Sequence, residues 1–204
     1  MYQFIESIYW RNNEMPLLPW HQLRFARTQM AHFGKTVHLS LRETIARATT
    51  GTLHNDQVYK VRVVYSADDI SVAFTPYIKK EIDQLHLVEN DTIDYTFKYL
   101  ERSGLERMNM PFGPTEEAVI VKHGLLTDTT FTNIALYNGK NWETPAVPLL
   151  EGVQRAFLLD EKKIVRSRIA MQDLHRYEQI RLFNAMVPWE AAWELHMDTI
   201  TVSP

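Results

Sequence analysis

The chain has 204 residues, enough for one large domain or two small lobes, and its 45% hydrophobic and 23% charged residues place it among ordinary globular proteins rather than disordered or fibrous ones. A formal net charge of -3 argues against a general nucleic-acid binder, and the absence of cysteine excludes disulfides, thiolate metal sites and cysteine nucleophiles. No run approaches the ~20 apolar residues of a membrane helix, and the opening MYQFIESIYW carries no basic stretch leading into an apolar one. A cytoplasmic protein without a membrane partner is therefore expected.

Taken in chain order, residues 2–10 predict a strand running into the turn signal Arg11-Asn12-Asn13. Residues 18–33 predict a helix, with Leu23, Phe25, Ala26, Met30 and Phe33 near helical spacing and Gly34 closing it. A second helix is expected over 40–48. The valine-rich YKVRVVY of 59–65 predicts a strand paired with another over 71–77. Residues 85–93 read as a strand ending in a polar crossover, and the boundary between two lobes, 1–88 and 89–204, is placed there. A helix is expected over 97–108, then short strands at 118–121, 125–127 and 133–138, the last closing on the hairpin signal Asn138-Gly139. Pro145 and Pro148 mark a loop, 151–159 a helix, and 180–184 the last buried strand. Trp189 and Trp193, four apart, fit helix packing, and the pairs Lys79-Lys80 and Lys162-Lys163 fit solvated faces. The architecture is α+β in two lobes.

Three segments carry chemistry by their order: DYTFKYLERS around Lys98, LTDTTFTNI around Asp128, and TPAVPLLEGVQR around Gly152. Alone, each is weak. A single lysine is usually solvated, Asp followed by Thr also makes turns, and a glycine before a helix is an ordinary entry. No His-x3-His or HExxH pair is present, so no metal site is expected.

Together the segments resemble the class IV aminotransferase family of pyridoxal-phosphate (PLP) enzymes, which includes branched-chain and D-amino-acid aminotransferases and aminodeoxychorismate lyase. His21-Gln-Leu-Arg24 resembles the family's His-x-x-Arg, and Asn184-Ala-Met-Val-Pro188 is similar to a stretch of the lyases, so the likeness runs from Glu6 to Pro188. It implies the two-lobed fold type IV, PLP as cofactor, a small-molecule amino substrate and a homodimer. Lys98 matches the Schiff-base lysine, whose neutral amine attacks an aldehyde and later moves a proton. Asp128 stands where the family usually has glutamate facing the pyridine nitrogen. Arg24 matches the arginine on the cofactor phosphate, and the amides of Val153 and Gln154, after Gly152, match its helix-start cradle. Ala185 replaces a phosphate-binding threonine, leaving its amide or Asn184 for that role. Arg62 and Met186 match substrate-facing positions, an outward strand arginine being the other reading of Arg62. The tyrosine that often follows the lysine is replaced near Ser103, and Tyr95 or Tyr99 remain as hydroxyl sources. The resemblance implies a lyase converting 4-amino-4-deoxychorismate to 4-aminobenzoate and pyruvate, with an amino-acid aminotransferase or a non-catalytic PLP or small-ligand binder as alternatives.

Overall fold

The computed structural model describes residues 2–35, 39–49, 53–54 and 56–202. The chain forms two compact units, Met1–Lys79 with Phe97–Glu101, and Lys80–Thr96 with Arg102–Pro204.

In the first unit, β1 (Phe4–Trp10), β2 (Tyr59–Tyr65) and β3 (Ile70–Pro76) form an antiparallel sheet in that order. The period-2 pattern decides its faces. Phe4 pairs with Tyr65, Ile8 with Val61 and Trp10 with Tyr59, and all six side chains are buried. The helices α1 (Leu18–Phe33) and α2 (Leu41–Ala48) cover this face with Leu18, Phe25, Leu41 and Ile45. Pro19 lies in the first turn of α1, where its missing N–H costs nothing, and Gly34 ends the helix at φ 62°, its amide returning to the Met30 carbonyl.

The helix expected over 97–108 forms only in its second half, as α3 (Ser103–Asn109). Residues Phe97–Glu101 instead line the free edge of β1. Tyr99 bridges Phe4, the Leu100 amide donates to the Gln3 carbonyl at 2.8 Å, and the Ile5 amide donates to the Lys98 carbonyl at 3.0 Å. The rings of Phe97 and Tyr99 pack on Phe4 and His32. An edge strand with unmet backbone groups and two aromatic contacts outweighs a weak helical spacing. The expected lobe division at 88/89 therefore differs from the observed one. The chain leaves the first unit at Lys79, then returns to it over five residues that carry Lys98.

The second unit is built on a nine-stranded sheet of order β11-β10-β7-β6-β5-β4-β12, with β8 on β7 and β9 on β8. Its central strands are β4 (Gln84–Glu89), β5 (Glu116–Lys122), β6 (Leu125–Thr129), β7 (Asn133–Tyr137) and β10 (Gln179–Phe183). The strands β8 (Trp142–Pro145), β9 (Val165–Ser167), β11 (Trp193–His196) and β12 (Ile200–Val202) complete it, and α4 (Val153–Asp160) buries Val153 and Leu158. β10 is thus not the last strand: Trp193, buried on β11, gives its indole N–H to the Lys80 carbonyl at 2.7 Å. Trp189 and Trp193 share no helix, since Trp189 packs on Phe183 and Trp142 while Trp193 meets Phe131. Lys80 is not simply solvated either, for it pairs at 3.2 Å with the buried Glu117.

The pairing of residues 97–101 with β1 has a direct consequence. Amide hydrogen exchange should protect Ile5 and Leu100 together, and Phe4→Ala should cost about 3–5 kcal/mol in denaturant unfolding while releasing both amides. A helix over 97–108 would leave Leu100 protected in that variant.

Candidate active site

Asp128 is the last residue but one of β6 and Asn133 begins β7, and the four residues between them close the hairpin. The Thr129 amide donates to the Thr132 carbonyl, and the two threonine hydroxyls lie 2.8 Å apart. Asp128 and Asn133 are cross-strand partners. Asn133 Nδ2 donates to Asp128 Oδ1 at 2.7 Å and to the Leu150 carbonyl at 2.9 Å, while the Leu150 amide donates to Asp128 Oδ2 at 2.9 Å. Burial pushes the Asp128 carboxyl up to about 7, against the pull of the Leu150 and Asn133 donors and the more distant charge of Arg155.

Gly152 and α4 adjoin this cluster. A Cβ at Gly152 would run into Asn133 Oδ1, so a larger residue there has to displace that side chain, although its φ of -69° is open to any residue. The glycine is a matter of close approach, not of backbone freedom. Among the described residues no side chain caps α4, and the first-turn residues Val153 and Gln154 are buried. Backbone amides at an uncapped, buried helix start are suited to an anion. Arg155 is itself fully buried, and its fork is spent on Thr144 Oγ1, the Pro145 carbonyl and Glu151. It ties the Thr-Pro loop to the helix, which is why those two motifs occur together.

Asn184, Ala185 and Met186 form the turn after β10. Asn184 Oδ1 accepts from the Met186 amide at 2.9 Å, and its Nδ2 donates to the Phe131 carbonyl in the β6–β7 turn at 3.4 Å. This places the Asn184 turn beside the hairpin that carries Asp128. Ala185 is half-buried and Met186 buried.

The remaining residues lie in the first unit. Lys98 occupies the apex of a three-residue turn closed by the Tyr99 amide on the Phe97 carbonyl at 2.9 Å, so two packed aromatic residues brace it on either side. Arg24 projects from α1 into a buried cluster. Its Nε and Nη2 donate to Glu6 at 2.9 and 2.5 Å, and His21 Nδ1 lies 2.6 Å from the same carboxylate. Burial alone would raise the Glu6 carboxyl, but Arg24 and His21 together hold it down to about 2. Burial lowers His21 against the pull of Glu6, and the charges of Arg24 and Lys98 lower it further, which puts Lys98 within electrostatic reach of this cluster. His21 Nε2 is buried without a hydrogen-bond partner among the described residues. Arg62 is exposed on β2, on the face away from the α1 core.

Asp128, Asn133, Gly152 and the start of α4 thus form one cluster, with the Asn184 turn beside it. Lys98 and Arg24 share the other unit with Glu6 and His21. Each unit by itself has groups that fit PLP: in the first, an amine on a fixed turn; in the second, a buried carboxylate with no cation within bonding distance among the described residues, and an anion-ready helix start. When bound, PLP supplies an electron-withdrawing ring.

Residues 3–191 match the family model described as amino-transferase class IV. The chain belongs to the class IV amino-transferase family, and hence to the PLP-dependent enzymes. A Haemophilus influenzae protein of uncharacterised function is 30% identical over 186 residues, 91% of this chain and 98% of its own. The crystal structure of a candidate 4-amino-4-deoxychorismate lyase from Haemophilus somnus is 31% identical, with TM-score 0.84 over 91% of this chain and 97% of that one. A Brucella abortus aminotransferase bound to PLP is 15% identical, with TM-score 0.71 over 95% and 80%, and shares the fold.

Sequence reasoning passed over Glu6 and the role of Asn133. Glu6 had a signal: a carboxylate in phase with Phe4 and Ile8, on the strand face that the core must cover. Asn133 had one too, because a five-residue spacing across a tight turn makes it the partner of Asp128.

The two carboxylates give opposite pH dependences. Glu6, depressed from 4.5, contributes stability that is present above about pH 5 and lost as pH falls toward 2. Asp128, raised from 3.8, favours the folded cofactor-free protein in its protonated form, so its contribution is full below about pH 4 and lost as pH rises through 7. Thermal unfolding without PLP should therefore show wild type losing stability relative to Asp128→Asn as pH rises from about 4 through 7, with no further change above about 8. A constant difference over that range would mean that Asp128 stays ionised.

Proposed function

We infer that the protein is a lyase that converts 4-amino-4-deoxychorismate to 4-aminobenzoate and pyruvate. The observation that carries this reading is the 31% identity, over nearly the whole of both chains, to the Haemophilus somnus candidate 4-amino-4-deoxychorismate lyase. The stretch Asn184-Ala-Met-Val-Pro188 supports it.

In this reading Lys98 anchors the cofactor through its side-chain amine, removes a proton from the substrate and returns it as pyruvate leaves. The braced turn fixes where that amine can reach. Asp128 sits at the pyridine nitrogen and holds a proton there. Its buried carboxylate gains the cation its surroundings lack, while amide donors keep both oxygens aimed. The amides of Val153 and Gln154 and the guanidinium of Arg24 hold the phosphate, with Glu6 orienting Arg24 through its Nε and Nη2. Asn184 and Ala185 line the phosphate side, and Arg62 and Met186 belong to the substrate side. Two copies of the chain form the working dimer.

Purified protein should show a visible absorbance band, and borohydride reduction with peptide mapping should place a pyridoxyl group on Lys98. Pyruvate should appear from 4-amino-4-deoxychorismate without any keto acid. Keto-acid-dependent amino transfer instead would make the protein an aminotransferase, and a visible band with neither reaction a non-catalytic binder. Label on another lysine would overturn the assignment of Lys98.

Arg24→Lys keeps a cation for Glu6 but has no planar guanidinium to reach Glu6 and the phosphate together, so PLP affinity should fall by roughly 1.5–3 kcal/mol, the worth of a hydrogen bond to a charged group. Equilibrium dialysis measures it, and unchanged affinity would place the phosphate elsewhere.

A further inference from the structure

Asn133 has no role in holding the cofactor in the reading above, yet its side chain meets Asp128, Leu150 and Gly152 at once. Its Nδ2 bonds Asp128 Oδ1 at 2.7 Å and the Leu150 carbonyl at 2.9 Å, and its Oδ1 lies where a Cβ of residue 152 would have to go. Asp128 closes the ring by accepting from the Leu150 amide. Three hydrogen bonds therefore join the end of β6, the start of β7 and the residue two before Gly152. The close approach of Gly152 then sets the start of α4 against the same side chain.

We propose that Asn133 is a positioning residue that fixes the Asp128 carboxylate relative to the first turn of α4. It does two separable things. As a donor, it aims Oδ1 and favours the ionised form of a carboxylate that burial would otherwise protonate. As a spacer, it sets how near the helix start can come to Asp128. A flat ligand with a basic nitrogen at one end and a phosphate at the other needs that separation held within a fraction of an ångström. The proposal deepens the reading of Asp128 as the ring-nitrogen partner and rests on it for the ligand, but the clamp itself exists in the protein alone.

Two substitutions separate the roles. Asn133→Asp keeps the shape against Gly152 but cannot donate, and sets a second carboxyl against Asp128, so the pair should share a proton. Asn133→Ala removes both roles. Gly152→Ala puts a Cβ into Asn133 Oδ1, and in the Asn133→Ala background that clash disappears.

The experiments measure PLP dissociation, the pH titration of the bound cofactor's visible band, kcat and KM, and melting of the cofactor-free protein. Asn133→Asp should lower kcat on the order of 10- to 100-fold with a smaller change in KM, and should shift the pH titration of the band. Gly152→Ala should lower the melting temperature and weaken PLP binding at least about tenfold, as a lost charge-assisted contact does. Adding Asn133→Ala should restore much of the melting temperature but not the wild-type pH titration. Additive effects of Gly152→Ala and Asn133→Ala on melting would overturn the spacer role, and an unshifted titration in Asn133→Asp would overturn the donor role. Failure of wild type to bind PLP would count against the proposed function, whereas the melting cycle would still decide the clamp.

Discussion

A carboxylate taken out of water must find compensation inside the protein, and the buried ones among the described residues find it unequally. Glu6 has Arg24 and His21 within hydrogen-bond reach, and is held at about 2. Glu117 has Lys80 and the Thr130 amide and hydroxyl. Asp128 has only amide donors in contact, while the nearest cation that acts on it, Arg155, is spent on Thr144, Pro145 and Glu151. Two of the three are complete as built. The third is satisfied geometrically and short of positive charge, which is what a carboxylate reserved for a cationic ligand atom looks like.

The surrounding elements follow from supporting that unbalanced group. The tight hairpin turns Asp128 and Asn133 toward each other, Gly152 lets α4 approach, and Arg155 locks the Thr144-Pro145 loop to the helix. Sheet strands and a helix start hold these groups more rigidly than a free loop could. In the first unit the same economy appears around Lys98. Its turn is fastened by Phe97 and Tyr99 on Phe4 and His32, and by backbone pairing to β1.

Much of this was legible in the sequence. The alternation in YKVRVVY, the helix 18–33 ending at Gly34, and the short strands around Asp128 follow from local periodicity and turn chemistry, and they appear where expected. What local pattern could not supply was competition between distant segments. Residues 97–101 carry helical spacing, but an open strand edge ninety-odd residues earlier in the chain claims their backbone. Trp189 and Trp193 are four apart yet share no helix, because Trp193 is wanted by β10 and the Lys80 carbonyl. At the site, residue order marked Asp128, Gly152 and Lys98, whereas Glu6 and Asn133 matter through partners that only the folded chain brings to them.

The central claim is that Asp128 waits for a cation that the cofactor brings. Isotope-edited infrared spectroscopy, comparing wild type with Asp128→Asn, reads the carboxyl stretch of this one side chain. Without PLP, the account predicts a protonated carboxyl at pH 6 that gives way to carboxylate as pH rises through about 7, and carboxylate at both pH values once PLP is bound. A carboxylate at pH 6 in the cofactor-free protein, unchanged by PLP, would contradict it.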